Sequence, residues 1–304
     1  MRPVPTYRAV VTDLDNTLYS WVDYIVPSLE AMVASLMATT GRPRIDIVQS
    51  LKAVYARRES NEYPFAIQES SLFHPYRKDF DSFDALVVRP AQHAFAEARR
   101  RYLLPYPGVR ETLEKLRADG LRIIALTDAP RNAVENRIRL LGLEGLFDGL
   151  YALEGYALPA NVNPEIRRRD EAGHYRLKGT RVVELPRAAE KPDPRGLRRI
   201  LADYELAPAE VLYVGDNVKK DMALAAAVGA TGVWAEYGTY VSTEYRERLA
   251  VISASRVTQR HVPDEAQGRW PVAISSFVQV RELARSAAAR APGRARMARR
   301  RAAG

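Results

Sequence analysis

The stretch Val10-Val11-Thr12-Asp13-Leu14-Asp15-Asn16-Thr17-Leu18-Tyr19 places two carboxylates, two residues apart, directly after a short apolar run. Side chains at i and i+2 of an extended chain point the same way, so Asp13 and Asp15 should converge beyond the end of a predicted strand. Like charges this close are costly, and a Mg²⁺ between them would relieve the repulsion and leave one carboxylate free as nucleophile or acid. By itself the stretch is equally consistent with carboxylates that cap a turn or a helix.

The composition is that of an ordinary globular chain. Its 304 residues suit one large α/β domain with an inserted domain, or two domains. The absence of cysteine excludes disulfides, thiolate metal sites and a cysteine nucleophile, and it fits a reducing cytoplasm. We find no room for a signal peptide before the first predicted strand and no apolar run approaching the ~20 residues that span a bilayer. We therefore expect a soluble, cytoplasmic protein with no membrane contact.

The net charge of +9 is concentrated at the carboxyl end of the chain. Residues 285–304 contain seven arginines and no carboxylate, and removing those seven charges leaves +2 for residues 1–284. This tail has low complexity and lacks large apolar side chains, which predicts a disordered segment or a frayed helix. A basic tail can contact RNA, DNA or anionic lipid non-specifically, but we favour a solvated extension without a dedicated partner.

Strand and helix patterns alternate along most of the chain. The predicted strands are 9–12, 122–126, 211–214 and 231–235, and the predicted helices are 110–119, 132–141, 194–204 and 222–228. This alternation predicts an α/β fold, a Rossmann-like doubly wound parallel sheet whose ligands bind at the carboxyl ends of the strands.

Two segments interrupt the alternation. Residues 22–39, 45–59 and 83–102 carry apolar positions at helical spacing, which predicts a helical bundle inserted after the first strand. Its loop 61–65 mixes aromatic and polar groups, so it either faces a substrate or packs between helices. The irregular stretch 151–190 contains two short runs around residues 178–180 that are consistent with a β-hairpin, either a flap over the site or a surface embellishment.

Polar residues follow four separated strands or turns in a fixed order. They are Asp13-x-Asp15-x-Thr17, Thr127, Lys191-Pro192-Asp193-Pro194 and Gly215-Asp216-Asn217-x-x-x-Asp221. This ordered set, with Tyr106-Pro107-Gly108-Val109 and Leu126-Thr127-Asp128-Ala129, resembles the haloacid dehalogenase superfamily of phosphohydrolases over residues 6–250. Each motif alone is weak, and the order of the full set is the specific signal.

Carried over residue by residue, the resemblance implies roles for five residues. Asp13 matches the nucleophile that forms an aspartyl-phosphate, and Asp15 matches the acid and base. Thr127, with backbone N–H groups around Asp128, would bind a phosphoryl oxygen. Lys191 would neutralise the phosphate and hold Asp13. A phosphate and the Asp13 carboxylate would otherwise repel each other, since two unit charges of the same sign ~4 Å apart repel by about 4 kcal/mol at an effective dielectric near 20.

The same resemblance implies a magnesium site. Asp216, Asp13 and the backbone carbonyl of Asp15 would bind Mg²⁺, and Asn217 and Asp221 would support these ligands or replace one of them. Some of these residues could have a purely structural role. Thr127 could cap the following helix, Lys191 could be a surface lysine, and Asp221 could begin a helix, where the dipole favours a carboxylate.

The resemblance also implies a division into parts. Residues 1–18 and 106–284 would form the core, 19–105 a helical cap that closes over a small phosphorylated metabolite, and 285–304 the basic tail. The expected activity is a Mg²⁺-dependent phosphoric monoester hydrolase. The oligomeric state and the metabolite do not follow from the sequence.

Other activities use related scaffolds. Asp15 and Asp216 argue against displacement of halide from a 2-haloacid, which needs no metal and no second aspartate. A phosphonate-cleaving relative would need a cap lysine, for which Lys52 or Lys78 could be named only by guesswork. A phosphomutase or other phosphotransferase on the same core, and a non-catalytic regulatory protein tethered by its tail, stay as alternatives.

Overall fold

The computed structural model describes residues 7–156, 158, 173, 176–253 and 272–289. Within these residues, seven strands form one entirely parallel sheet in the order β4-β3-β2-β1-β5-β6-β7. The strands are β1 Ala9–Thr12, β2 Arg122–Pro130, β3 Gly149–Leu153, β4 Arg181–Leu185, β5 Val211–Gly215, β6 Thr231–Ala235 and β7 Val272–Ile274. The α/β, Rossmann-like fold class predicted from the alternation is confirmed.

The first five helices after β1 occupy the segment predicted to be helical. They are α1 Trp21–Thr40, α2 Arg44–Arg58, α3 Ala66–Glu69, α4 Phe80–Phe83 and α5 Arg89–Tyr102, with a turn of π-helix at Asp84–Val88 between the last two. Ser20 begins α1, because its hydroxyl accepts a hydrogen bond from the N–H of Asp23, and Gly41 ends it in the left-handed conformation. We call α1–α5 and their loops the inserted helices.

Helix α1 is more apolar than the sequence pattern predicted. By length and composition it could cross a bilayer, with a mean hydropathy of 1.2, but half of that segment is buried inside the fold. The expectation that no apolar run approaches spanning length is therefore wrong. Its apolar residues, including Ile25, Leu29 and Leu36, are buried in the same cluster as the side chains of the sheet, which accounts for their character in a core helix.

The remaining helices alternate with the strands. They are α6 Val109–Ala118, α7 Arg131–Leu140, α8 Arg195–Asp203, α9 Ala223–Val228, α10 Thr243–Ile252 and α11 Gln279–Ala289. A turn of π-helix, Val218–Met222, precedes α9. The four predicted helices agree with these bounds to within one residue at every end. The predicted residue 222 belongs to the π-turn.

Both faces of the sheet are covered, because alternate residues of each central strand enter different apolar clusters. Val10 and Val214 pack with α6, α7 and the inserted helices, whereas Val11 and Tyr213 pack with α8 and α9. All four residues of β1 are buried. Such continuous apolar strands are typical of parallel sheets with two covered faces, and they fix β1 at the centre of the sheet.

The predicted hairpin needs correction. Residues 181–185 do not return as its second strand, since β4 pairs in parallel with β3 at one edge of the sheet. Residues 157, 159–172 and 174–175 of the same stretch lie outside the described residues, so a flap there stays a prediction.

The first residues of the predicted tail, 285–289, belong to α11, which fits the frayed-helix alternative. Residues 290–304 lie outside the described part of the chain.

Candidate active site

The site begins where β1 ends, between its two neighbours. Thr12 lies beside Ala125 of β2 and Val214 of β5, so the residues that follow each strand meet at one edge of the sheet. The N–H of Asp13 continues the ladder by donating to the carbonyl of Val214 at 2.8 Å. Asn16 then turns the chain with a φ of 59°, a left-handed conformation that asparagine tolerates. The Asp13 side chain is buried, with 6% of the residue exposed.

Lys191 binds two carboxylates at this edge. Its Nζ lies 2.8 Å from Oδ1 of Asp13 and 2.8 Å from Oδ1 of Asp221, and the residue is buried. Burial on its own would lower the pKa of Lys191, but Asp13 and Asp221 outweigh it and hold the pKa well above its ordinary value. The ammonium group therefore stays charged, and the alternative of a surface lysine is excluded.

Asp128 positions the backbone of Lys191. One carboxylate oxygen accepts from the N–H of Lys191 at 2.9 Å, and the other accepts from Nζ of Lys220 at 2.9 Å. Its side chain thus ties the end of β2 to Lys191 and to the π-turn before α9. The predicted phosphate contact through the backbone N–H groups around Asp128 stays a prediction. Thr127 is buried, and its Oγ1 accepts from the N–H of Ala129 at 3.2 Å, where β2 bulges.

Asp221 is the most enclosed carboxylate of the site. It is fully buried, and it accepts hydrogen bonds from Lys191, from the hydroxyl of Tyr213 at 2.9 Å and from the N–H of Asn217 at 3.0 Å. A Cβ on Gly215 would lie 2.4 Å from Cγ of Asp221, so only glycine admits this packing. Asp221 does lie in the helical turn that precedes α9, as the helix-start interpretation has it, but its side chain is fully buried and accepts from three donors.

Asn217 caps the following turn instead. Its Oδ1 accepts hydrogen bonds from the N–H groups of Lys219 and Lys220, both at 3.1 Å. Two donors satisfy the two lone pairs of this oxygen, so the side chain serves as a cap. That Asn217 supports the metal ligands or replaces one of them stays a prediction.

The carboxylates of Asp13, Asp216 and Asp221 converge, with one oxygen from each within 4.8 Å of the others. Burial raises the pKa of Asp13 well above its ordinary value; Lys191 opposes this effect, and the charges of Asp221 and Asp216 add to it. Three carboxylates facing one lysine leave an excess of negative charge, and all the donors are oxygen. The residues therefore fit a hard divalent cation.

The side chain of Asp15 points away from that cluster, toward Arg137 of α7. Nη1 of Arg137 donates to Oδ1 of Asp15, and also to the hydroxyl of Tyr19 at 3.0 Å. Burial raises the pKa of Asp15, and the charge of Arg137 opposes that rise without cancelling it. The predicted metal ligand at this residue was its backbone carbonyl, which is compatible with the side chain facing the other way.

Arg137 was not predicted from the sequence. It is 1% exposed, and its Nη2 lies 3.3 Å from Oε2 of Glu62, which belongs to the loop between α2 and α3. Glu62 also accepts a hydrogen bond from the hydroxyl of Tyr24 at 2.8 Å. One guanidinium therefore joins the end of β1 to the inserted helices. An arginine within the apolar spacing of Val134, Ile138 and Leu141 is the only sequence signal for it.

A cavity of about 420 Å³, which we call the interhelical cavity, opens beside this bridge. It lies between the inserted helices and α7, and its walls include Met32, Ile67, Phe95, Arg99, Asn132 and Tyr156. Glu62 lines it as well, so the loop 61–65 faces a cavity rather than only packing between helices.

A phosphonate-cleaving reaction would need a lysine from the inserted helices. Lys52 of α2 donates to the carbonyl of Ala250 at 2.9 Å, a contact that gives the imine role no support. The side chain of Lys78 lies outside the described residues.

Comparisons with known proteins agree with this geometry. The sequence profile of the haloacid dehalogenase-like hydrolases matches residues 7–229. A phosphoglycolate phosphatase from Pseudomonas savastanoi pv. phaseolicola is 25% identical over 234 residues, covering 76% of this chain and 70% of the relative. A glyceraldehyde 3-phosphate phosphatase from Pyrococcus furiosus is 25% identical over 248 residues, covering 79% and 86%.

A solved structure shares the fold. The 2-haloacid dehalogenase from Pseudomonas syringae pv. tomato DC3000 superposes with a TM-score of 0.53 at 21% identity, covering 92% of this chain and 99% of that one. Since the profile match spans the carboxylate cluster, Lys191 and the strands that carry them, this chain belongs to the haloacid dehalogenase-like hydrolase family.

Proposed function

We propose that this protein is a Mg²⁺-dependent phosphatase that hydrolyses a small phosphorylated metabolite through an aspartyl-phosphate on Asp13. The observation that carries the proposal is the contact of Lys191 with Asp13 inside a cluster of three carboxylates at the centre of the sheet edge. The relatives support the substrate class, because they are named for phosphoglycolate, glyceraldehyde 3-phosphate and phosphoserine.

In the first half-reaction, an Asp13 carboxylate oxygen attacks phosphorus and the bond to the ester oxygen breaks. Asp15 donates its proton to that departing oxygen, so the leaving group departs as an alcohol. The raised pKa of Asp15 favours the protonated form needed for this step. Arg137 fixes the position of the carboxyl group.

Charge neutralisation makes the approach of a phosphate dianion feasible. Lys191 faces Asp13 from a buried position, and we assign the hydroxyl of Thr127 to a phosphoryl oxygen. Asp13, Asp216 and either Asp221 or the carbonyl of Asp15 would hold the Mg²⁺, which when bound neutralises phosphoryl charge and keeps Asp13 ionised.

In the second half-reaction, Asp15 takes a proton from a water molecule that attacks the phosphorus of the aspartyl-phosphate. The bond between phosphorus and Asp13 breaks, and inorganic phosphate leaves. We propose that the inserted helices act as the cap, residues 19–105, and that they exclude bulk water during the first step. The Arg137–Glu62 pair is the contact that joins them to the core beside Asp15.

No observation favours displacement of halide from a 2-haloacid or transfer of the phosphoryl group to an acceptor other than water. The likeness to the 2-haloacid dehalogenase is at 21% identity and concerns the fold. A halide leaves without a proton, so that reaction has no use for Asp15 or for an excess of carboxylates. A phosphotransferase would use the same residues and pass the phosphoryl group to an acceptor other than water, so release of inorganic phosphate separates the two.

The test is hydrolysis of p-nitrophenyl phosphate by the purified protein, with inorganic phosphate measured alongside. We expect turnover with Mg²⁺, loss of turnover with EDTA, and recovery when Mg²⁺ is added back. Asp13→Asn should abolish turnover because an amide cannot form the acyl phosphate, and it serves as the control for contaminating phosphatases. Equal activity in EDTA, or in the variant, would refute the assignment.

We propose a cytoplasmic location and no dedicated partner for the tail, in keeping with the cysteine-free composition and the concentration of arginines after residue 284. Removal of residues 290–304 should leave turnover unchanged. The cut belongs there because α11 extends to Ala289. A tail deletion that changed turnover would favour the regulatory alternative.

A further inference from the structure

The chain that follows β6 contacts the loop that follows β1, although the two strands are not neighbours. In the sheet, β5 lies between them. Tyr237 belongs to a 3₁₀ turn, Glu236–Thr239, directly after β6. Its hydroxyl donates to the backbone carbonyl of Thr17 at 2.5 Å. To make this contact, the turn passes over the carboxyl end of β5, where Asp216 lies.

Trp234 of β6 holds the loop that follows β5. It lies beside Gly215 in the ladder between the two strands, and the residue is 8% exposed. Its indole N–H donates to the backbone carbonyl of Asp216 at 3.0 Å. An indole has one donor and no acceptor, so this hydrogen bond forms in one orientation only. It fixes the peptide group that follows Asp216, and with it the backbone from which the Asp216 carboxylate extends.

Gly238 fills the space between these two loops. It is buried, and a Cβ at this position would lie 1.7 Å from the carbonyl oxygen of Asn16 and 3.1 Å from Cβ of Asp216. Glycine allows the backbone to approach this closely because it has no Cβ. Any larger residue at this position would push the loop after β1 away from the turn after β6.

The two loops carry the ligands of the proposed metal site, Asp13 and the carbonyl of Asp15 on one and Asp216 on the other. Mg²⁺ demands near-ideal octahedral geometry with short bonds to oxygen, so its affinity depends on how far apart the two loops lie. On the basis of the proposed Mg²⁺-dependent function, we infer that residues 234–238, which we call the bridging segment, set the spacing of these loops and thereby the affinity for Mg²⁺. Its members act as positioning residues.

A purely packing role for the bridging segment predicts a different outcome. The ring of Tyr237 packs edge-on against Tyr106, with centroids 5.2 Å apart, and Trp234 belongs to the apolar cluster that includes Val11 and Tyr213. If these contacts were all that mattered, changes in the segment would lower stability and leave Mg²⁺ affinity alone. The positioning role is favoured because each polar atom of the two side chains contacts the backbone of a loop that carries metal ligands.

The test is binding of Mg²⁺ alone to the full chain, measured by calorimetry. Trp234→Phe and Tyr237→Phe each remove one donor and should each raise the Kd by about twofold to tenfold, the value of one hydrogen bond. Gly238→Ala should raise the Kd further, because it separates the loops. Tyr7→Phe is the matched control, since the Tyr7 hydroxyl donates to Oγ1 of Thr231 at 3.2 Å, at the opposite end of β6. It should keep the native Kd.

Turnover of p-nitrophenyl phosphate gives a second readout. The Mg²⁺ concentration for half-maximal turnover should rise with the Kd in Trp234→Phe and Tyr237→Phe, while kcat at saturating Mg²⁺ stays within about twofold of the native value. Thermal unfolding confirms that each variant is folded, and the two phenylalanine variants decide the question if Gly238→Ala does not fold.

The outcomes separate this inference from the proposed function. A native Kd in both phenylalanine variants, or an equal rise in Tyr7→Phe, would overturn the positioning role and leave the Mg²⁺-dependent phosphatase intact. A native protein that binds no Mg²⁺, or a Kd that Asp216→Asn does not change, would overturn the metal site itself and the inference with it.

Discussion

At the scale of single residues, Asp221 holds the site together. Its carboxylate accepts hydrogen bonds from Lys191, from the hydroxyl of Tyr213 and from the N–H of Asn217, and it is fully buried. Lys191 in turn contacts Asp13. The nucleophile is therefore positioned through a chain of buried charges whose far end is Asp221.

Asp221→Asn should lower both stability and activity. Breaking a buried ion pair costs about 3–5 kcal/mol of unfolding free energy, whereas Tyr213→Phe removes one hydrogen bond and should cost about 1 kcal/mol. The Mg²⁺ concentration for half-maximal turnover should rise in Asp221→Asn and stay near the native value in Tyr213→Phe. Urea unfolding and a Mg²⁺ titration of turnover measure these effects. Similar values for the two variants would show that Asp221 is only a packing residue.

The residues found from the sequence and those missed differ in a physical way. Asp13, Thr127, Lys191 and Asp216 each follow a strand or precede a proline turn, and such local patterns are readable. Arg137 acts by reaching Asp15, 122 positions away, from inside a helix whose pattern is simply amphipathic. Contacts of this kind depend on how helices pack, which no local spacing encodes.

At the scale of elements, a clasp around Glu69 joins α2 to α3. Arg57 and Arg58 at the end of α2 donate to its carboxylate at 3.0 and 2.9 Å, and the hydroxyl of Tyr63 donates to it as well. Tyr63 lines the interhelical cavity and packs edge-on against Tyr156, with ring centroids 5.0 Å apart. The clasp thus supports one wall of that cavity.

The clasp should make stability depend on pH in acid. Burial alone would raise the pKa of Glu69, but hydrogen bonds from Arg58, Tyr63 and Arg57 outweigh it and lower the pKa from 4.5 to about 2. A lowered pKa stabilises the fold above the unfolded value, and this contribution disappears as pH falls from about 4.5 to 2. The unfolding free energy of Glu69→Gln should fall below the native value at pH 6, with the gap closing toward pH 2.

Urea unfolding from pH 6 to pH 2 measures that difference. The effect should be modest, because both arginines are about half exposed and are screened by solvent. A gap that stays constant with pH would mean that the clasp does not depend on the charge of Glu69.

The pairing of strand β4 was not predictable from its local sequence pattern. The short run 181–185 follows Gly179, so it suggested a hairpin, yet it is the edge strand of a parallel sheet. Short apolar runs do not specify their partners, since pairing depends on the crossover that precedes them. The central strands β1 and β5 were predictable because turn residues flank each apolar run.

At the scale of the whole molecule, Arg137 couples the inserted helices to the sheet. Its guanidinium pairs with Asp15 after β1 and with Glu62 between α2 and α3, and it is almost fully buried. A change in the position of the inserted helices would therefore move Arg137 relative to the carboxylate of Asp15. This coupling can be measured as an interaction energy.

A double-mutant cycle of Arg137→Met and Glu62→Gln should give a coupling of about 0.5–3 kcal/mol in unfolding free energy. Arg137→Met should be the most destabilising change of the cycle, by about 3 kcal/mol, because it leaves the half-buried carboxylates of Asp15 and Glu62 without their buried cation. Arg139→Met is the matched control on α7, since Arg139 contacts Glu144 and Arg176 instead. Additive effects of Arg137→Met and Glu62→Gln would show that the two side chains do not interact energetically and would contradict this coupling.

Asp13 is the group that carries the phosphoryl in the proposed mechanism. Acid-quenched turnover of a phosphate monoester, followed by borohydride reduction and peptide mass spectrometry, tests this directly. An aspartyl-phosphate at Asp13 would be reduced to homoserine at that position, and only with Mg²⁺ and substrate present. Turnover that leaves Asp13 unmodified, or that places the modification on another residue, would contradict the mechanism.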